Sequence, residues 1–285
     1  MLKKITQDIE QLKEVASQVR RDIVRQVHSS QSGHPGGSLG CADLLVALFF
    51  NAMQHDIVFN MKGEGEDLFF LSNGHISPLI YSVLARVGYF DAQELSTFRK
   101  LGSRLQGHPT THEHLPGIRM SAGSLGQGLS VGIGAALSKK LKKEDNYVFV
   151  LMGDGEQNEG QVWEAVQFAP HHKLDNLVAI IDVNGQQIDG PTDKVMSNRD
   201  LGIKYAAFGW KVLHMDGNNM TETVQTLAAA KNACGNGIPI AIMMKTEMGA
   251  GVDFMMGSHK WHGVAPNDEQ LNLALRQLPE TLGDY

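Results

Sequence analysis

From Tyr147 onward the chain alternates short, mostly apolar runs with segments of helical periodicity, and that alternation restricts what it can fold into. Tyr147–Met152, Leu177–Asp182, Trp210–Met215 and Ile238–Met244 read as strands, and Glu159–Phe168, Thr221–Asn232 and Asp268–Leu278 read as helices. A strand that is apolar on both faces needs cover on both, which the helices of βαβ units supply in a parallel sheet. Upstream, Asp67-Leu-Phe-Phe-Leu71 reads as one more buried strand, ended by the turn residues Ser72-Asn73-Gly74. The expected fold class is α/β, a doubly wound, mostly parallel sheet with helices on both faces.

The chain opens on helix. Ile5, Ile9, Leu12, Val15, Val19, Ile23 and Val27 recur every three or four residues, which predicts an amphipathic helix ending in the breakers Ser29 to Gly33. A buried helix is expected over Ala42–Phe50, and Asp91 with Glu94 three residues on resembles the start of a short capped helix. No polar linker divides the sequence, so residues 1–285 are expected to form a single domain that includes a helical segment over 1–60. The loops 103–124 and 246–266 are long enough to suggest function.

Composition then removes several classes. Lys and Arg total 25 against 31 Asp and Glu, a net charge of −6, so there is no basic excess to neutralise nucleic-acid phosphates. The longest apolar run, Leu44–Phe50, is too short to span a bilayer. The start Met-Leu-Lys-Lys leads into acidic sequence with no apolar signal region, and only two cysteines occur, Cys41 and Cys234, far apart. A disulfide framework is not expected, and a reducing, cytoplasmic setting fits.

The strand Val148–Met152 runs into Gly153-Asp154-Gly155, with a helix soon after. Ligands of doubly wound sheets bind outside the carboxyl ends of the strands. A helix N-terminus there offers free N–H groups and a positive dipole end to phosphate, and Asp154 is a hard oxygen donor suited to Mg²⁺ or Ca²⁺. Three residues alone are as easily a surface turn. The spacing says more: positions 156 to 183, 28 residues, separate Gly155 from Asn184 and hold one helix and one strand. Asn184 therefore emerges at the carboxyl end of the neighbouring strand, where it and Asp154, with a backbone carbonyl just beyond, can face one ion.

Four histidines sit in glycine-containing loops: His34 in Ser32-Gly-His-Pro-Gly, His75 in Leu71-Ser-Asn-Gly-His75, His108 in Gly107-His-Pro109 and His259 in Gly257-Ser-His-Lys-Trp-His262-Gly263. In such loops an imidazole is more easily presented to a ligand than packed. The pairs His112/His114 and His171/His172 lack a third ligand at zinc spacing and read as surface residues. No Gly-x-Gly-x-x-Gly opens a helix after a strand, so a dinucleotide site is a poor fit. In Gly126–Ser138 the glycines at 126, 128, 132 and 134 weaken a helix and imply close packing, either within the core or at an interface.

Gly-Asp-Gly, one βα unit and then Asn resembles the signature of thiamine-diphosphate enzymes, with Val183 where that signature usually has Asn or Asp. The four histidine motifs resemble transketolase in order and rough spacing along nearly the whole chain. The resemblance implies thiamine diphosphate held through Mg²⁺, for which Ca²⁺ or Mn²⁺ can substitute, with Asp154, Asn184 and the Gln186 carbonyl as metal ligands and Gly155 and Asn184 beside the cofactor. It implies His75 and His259 on the diphosphate and Gly123, Ser124 and Leu125 along the cofactor. His34, His108 and His259 would be the catalytic histidines that bind the sugar and handle its protons. Gly123-Ser-Leu-Gly-Gln-Gly128 carries serine where most relatives have proline.

The resemblance covers only the first of the family's domains. The glutamate that activates the thiazolium and the arginines that grip the sugar phosphate belong to the remainder, and Glu159 matches a subunit-contact position. What this implies is the N-terminal subunit of a two-chain transketolase. It would be completed by a separate C-terminal subunit in an α2β2 heterotetramer and would move a two-carbon ketol unit between sugar phosphates. A 2-oxoacid dehydrogenase E1 α-subunit shares Gly-Asp-Gly…Asn but not the Gly-His-Pro pair. A non-catalytic interaction subunit would have no physical need of the histidines.

Overall fold

The computed structural model describes residue 6 and residues 8–285. Ile5, expected on the apolar face of the first helix, lies outside them. Helix α1 spans Ile9–Ser30, capped by Asp8, whose carboxylate accepts the Glu10 N–H at 2.9 Å, and closed by Gln31 in the left-handed region at φ 48°. Leu12, Val19, Ile23 and Val27 are completely buried, as their spacing predicts. Helices α2 (Pro35–Gly40) and α3 (Ala42–Ala47) follow, and α3 widens into a π-turn over Leu48–Ala52, so the helix expected through Phe50 is present but changes its winding. The segment after Asp91 is a 3₁₀ helix, Ala92–Thr97, capped by Asp91; Glu94 turns instead to a paired contact with Arg104.

Strand β1 (Leu68–Leu71) precedes α4 (Ser77–Val87) and α5 (Gly128–Lys142). Then come β2 (Val148–Gly153), α6 (Gly160–His171) and β3 (Leu177–Val183). A two-residue hairpin, β4 (Gln186–Gln187) with β5 (Gly190–Pro191), leads into α7 (Thr192–Val195) and α8 (Leu201–Ala207). The chain finishes with β6 (Lys211–Asp216), α9 (Met220–Ala233), β7 (Ile240–Lys245) and α10 (Asp268–Gln277). The main sheet has the order β1-β2-β3-β7-β6 and every pairing in it is parallel. Successive strand residues point to opposite faces. Phe69, Leu71, Phe149, Leu151, Val178 and Ile180 pack on one side with α1, α3, α4, α9 and α10. Phe70, Val148, Val150, Ala179 and Ile181 pack on the other with α5, α6 and α8.

Strand β6 departs from expectation. It pairs only with β7, at the edge of the sheet, and Lys211, His214 and Asp216 are exposed, so its run is not apolar on both faces. Among the described residues no helix is long and apolar enough to cross a membrane.

The glycines of α5 divide by direction. A Cβ on Gly128 would lie 2.4 Å from the Ser72 hydroxyl oxygen, and one on Gly132 would lie 2.4 Å from a Val150 methyl. One on Gly134 would meet nothing within 4 Å. Two of these glycines are therefore core contacts, and the third faces outward. Gly132→Ala is expected to destabilise the chain by about 1–3 kcal/mol through overpacking. Gly134→Ala should stabilise it by about 0.4–1 kcal/mol by restricting the unfolded state. Urea unfolding of the two variants checks this, and equal midpoints would overturn the division.

Candidate active site

A cleft of ≈ 470 Å³ crosses the carboxyl ends of the central strands, a volume suited to a small-molecule ligand. Four of the five strand ends contribute to its walls. Asn73 and His75 follow β1, Gly153, Asp154 and Gly155 end β2, Asn184 and Gln186 follow β3, and Met248 follows β7. The two long loops add His108 and Gly123 from the first and His262 from the second, and His34 enters from the turn between α1 and α2.

The β2–β3 register pairs Gly153 with Asp182, so residues 154 and 184 leave adjacent strands at the same end of the sheet. Asp154 is 4% exposed; one carboxylate oxygen accepts the Gly155 N–H at 2.7 Å and the other the Gly185 N–H at 2.8 Å. Asn184 accepts the Gln186 N–H at 2.9 Å on its side-chain oxygen and donates its amide to Asp182 at 2.8 Å. Asp182 is buried beneath them, where it also receives the hydroxyl of Thr246 and the thiol of Cys41. Burial, and then the charge of Asp182, push the Asp154 carboxyl up to about 7. Burial likewise raises Asp182.

Two neighbouring buried carboxylates, each without an ion-pair partner among the described residues, form a place that a divalent cation would neutralise. The side-chain donors there are the Asp154 carboxylate and the Asn184 amide oxygen, with Gln186 also on the cleft wall, oxygen groups of the kind a hard cation takes. Among the described residues no group of three or more His, Cys, Asp or Glu is arranged to hold a metal.

The histidines converge in the same cleft. The His34 ring lies 5.1 Å from His75, 6.4 Å from His108 and 5.6 Å from His262, centroid to centroid, and His75 lies 5.0 Å from His262. Burial lowers all four, taking His34 to about 4 with help from His262, Arg99 and His108. At neutral pH they are uncharged imidazoles, each with one ring nitrogen donating and one accepting.

His262 takes the position that the sequence reading gave to His259. His259 opens the turn His259–Trp261 and lines an adjoining groove with Val264 and Gln270, Ile188 standing in the walls of both groove and cleft. Gly263 packs against the His34 ring, at 3.4 Å from where its Cβ would stand, which carries the adjoining His262 into the cluster. A signal was present: His34, His75, His108 and His262 each adjoin a glycine, and His259 does not. Ser124 is also displaced from expectation, exposed and off the cleft wall, while Gly123 and Leu125 line it. Gly123 stands at φ +125°, and a Cβ there would meet the His108 ring at 2.9 Å, so the position requires glycine. The exposed pairs His112/His114 and His171/His172 lie away from the cleft.

The sequence reading passed over Glu156. It is 2% exposed, and its carboxylate accepts the Gly126 N–H at 2.7 Å, the Gly153 N–H at 3.1 Å and the Ser72 hydroxyl. One side chain thus joins the ends of β1 and β2 to the loop before α5. Several buried polar atoms of the cleft wall have no hydrogen-bond partner among the described residues: Asn73 Oδ1, His34 Nδ1, His262 Nδ1, Gln186 Oε1 and Gln187 Nε2. Such atoms are costly unless a ligand or water meets them, so the wall is built to receive a polar group.

Residues 11–280 match the family model described as "Transketolase, thiamine diphosphate binding domain". The chain is 39% identical over 276 residues to an apulose-4-phosphate transketolase subunit of Phocaeicola vulgatus, covering 96% of each. It is 36% identical over 267 residues to the 6-deoxy-6-sulfo-D-fructose transketolase subunit SqwG of a Clostridium species, covering 94% of this chain and 96% of that one. Among solved structures, transketolase from Campylobacter jejuni superposes with a TM-score of 0.88 at 32% identity, over 95% of this chain but 43% of that one. With the strand order, the paired oxygens beyond β2 and β3 and the histidine loops all in place, the chain belongs to the transketolase family and carries its thiamine-diphosphate-binding domain.

Proposed function

We propose that this chain is the N-terminal subunit of a two-chain transketolase, a single thiamine-diphosphate domain that transfers a two-carbon ketol unit from a ketose to an aldose only when a separate C-terminal subunit completes it. The observation that carries the reading is the gathering of four imidazoles in one cleft with the Asp154–Asn184 oxygen pair at the carboxyl ends of one sheet. The two subunit-named relatives have nearly this chain's length, and the chain spans under half of the Campylobacter transketolase. An α2β2 heterotetramer in the cytoplasm is the assembly we favour; Cys41 and Cys234 are both free thiols, which suits a reducing compartment.

The residues fit the cofactor. Asp154, Asn184 and the Gln186 carbonyl would hold Mg²⁺, and that ion would offset the Asp154–Asp182 repulsion. Gly155, His75 and His262 would face the diphosphate, and Gly123 and Leu125 the rest of the coenzyme. Thiamine diphosphate, when bound, supplies the nucleophilic carbon that lets a ketose split beside its carbonyl. His34 and His108, uncharged, would donate to and accept from the sugar hydroxyls and carry the protons that move as the carbon–carbon bond breaks and reforms. The relatives' names include a phosphorylated sugar and a sulfonated ketose, so a ketose with an anionic end is the donor class we assign.

The purified chain, given thiamine diphosphate and Mg²⁺, is expected to show no ketol transfer, and adding its C-terminal partner should restore it in a coupled aldose-formation assay. Transfer by this chain alone at the rate of the mixture would overturn the two-chain reading. Decarboxylation of a 2-oxoacid by the mixture, without ketol transfer, would favour the 2-oxoacid dehydrogenase alternative.

A further inference from the structure

Arg99 does not line the cleft, yet it joins the two loops that bring His34 and His108 there. One guanidinium nitrogen donates to the Ser32 hydroxyl at 2.8 Å, two residues before His34. Another donates to the Gly107 carbonyl at 3.3 Å, on the residue before His108. The backbone of Arg99 stands at φ +57°, a conformation that side-chain-bearing residues seldom adopt, and its N–H is held by the Leu105 carbonyl at 2.9 Å. A Cβ on Gly107 would lie 2.9 Å from the guanidinium carbon, so glycine at 107 is what lets the guanidinium approach that loop. The Arg99 Nε is buried and unpartnered, which leaves both bonds of the bridge to the two terminal nitrogens. A planar, doubly donating cation suits this task in a way that a lysine ammonium does not.

The same guanidinium is a fixed positive charge whose field reaches both rings: it adds to burial in lowering His108, and to burial and His262 in lowering His34. The other ionisable groups here are His75 and His262 around His34, Tyr81 of α4 beside Arg99, and Glu113, which acts on Tyr81.

We propose that Arg99 is a positioning residue for ketol transfer, a strut that sets the separation of His34 and His108 and holds a positive charge behind them without itself touching cofactor or sugar. This rests on the function proposed above. The test uses the assembled two-chain enzyme in three forms: wild type, Arg99→Gln and Arg99→Lys. Arg99→Gln is expected to lower kcat/KM for the ketose by about 10²-fold, the scale of a small misplacement of catalytic groups. Its calorimetric affinity for thiamine diphosphate with Mg²⁺ should stay within about twofold, because the strut lies off the cofactor wall. Its acid limb of kcat/KM should move to higher pH, since losing a neighbouring cation makes the imidazoles easier to protonate.

Arg99→Lys, which keeps the charge but cannot bridge both acceptors, should retain the wild-type acid limb and still lose kcat/KM. If Arg99→Gln fails to fold, the lysine variant carries the test alone. Wild-type kcat/KM in either folded variant, or a fall in cofactor affinity equal to the fall in turnover, would overturn the assignment. An assembled wild type that performs no ketol transfer would sink the proposed function itself, and this inference with it, so the two failures are told apart by the control.

Discussion

Replacing Asp154 with Asn is expected to abolish Mg²⁺-dependent uptake of thiamine diphosphate while the fold survives. The substitution keeps the size of the side chain and one acceptor oxygen. It removes the negative charge and turns one of two oxygens, each now accepting a backbone N–H from Gly155 or Gly185, into an NH₂ group facing a donor. Changes to groups merely supporting a metal ligand cost about 10–100-fold in metal affinity, so losing the carboxylate ligand itself should exceed about 100-fold. The apo chain loses one of two neighbouring buried carboxylates, which relieves repulsion with Asp182 and offsets part of the lost hydrogen bonding. Binding and folding should thus respond unequally. Calorimetry at several Mg²⁺ concentrations, beside thermal melting of the same preparations, checks it; unchanged uptake would remove Asp154 from the metal site.

His34→Ala should cost the assembled enzyme about 10²–10⁴-fold in kcat, the range of one positioned acid–base group, with cofactor affinity kept. His34 stands at the centre of the cluster, within ring contact of His75, His108 and His262, and its Nδ1 is buried without a partner, which leaves that atom for a ligand. Because burial takes this imidazole down to about 4, it stays uncharged above that pH and charges only as pH falls through it. Its own titration therefore should not limit turnover between pH 6 and 8, where an ordinary histidine, near 6.5, would impose a loss. Steady-state kinetics across that range, with the alanine variant as reference, tests both points. Wild-type turnover in the variant would take His34 out of the reaction.

Much of this could be read from the sequence because period and spacing are local properties that the parallel sheet preserves. One helix and one strand between Gly155 and Asn184 leave those residues on adjacent strand ends, and the observed register keeps them there. His34, His75 and His108 were legible because each directly follows a glycine in a loop. What escaped depends on contacts distant in sequence. That His262 lines the cleft where the motif pointed to His259 depends on the packing of Gly263 on His34, a contact distant in sequence. Ser124 looked equivalent to Gly123 and Leu125, but the positive φ at Gly123 turns the chain and leaves the serine outside. The exposure of β6 combines an edge position with the polar Lys211 and His214, since β1 at the other edge is apolar and buried throughout. The π-turn after α3 has no signature in an apolar run.

Glu156 carries a consequence for how the coenzyme arrives. Its carboxylate ties Ser72, Gly126 and Gly153 together through protein atoms alone, so three of the segments around the cleft are fastened by the chain itself. A receptor rigid in advance loses little conformational freedom on association. Docking of the vitamin-derived molecule should therefore resemble a key entering a finished lock, with the entropic toll of loop ordering met when the polypeptide first folds.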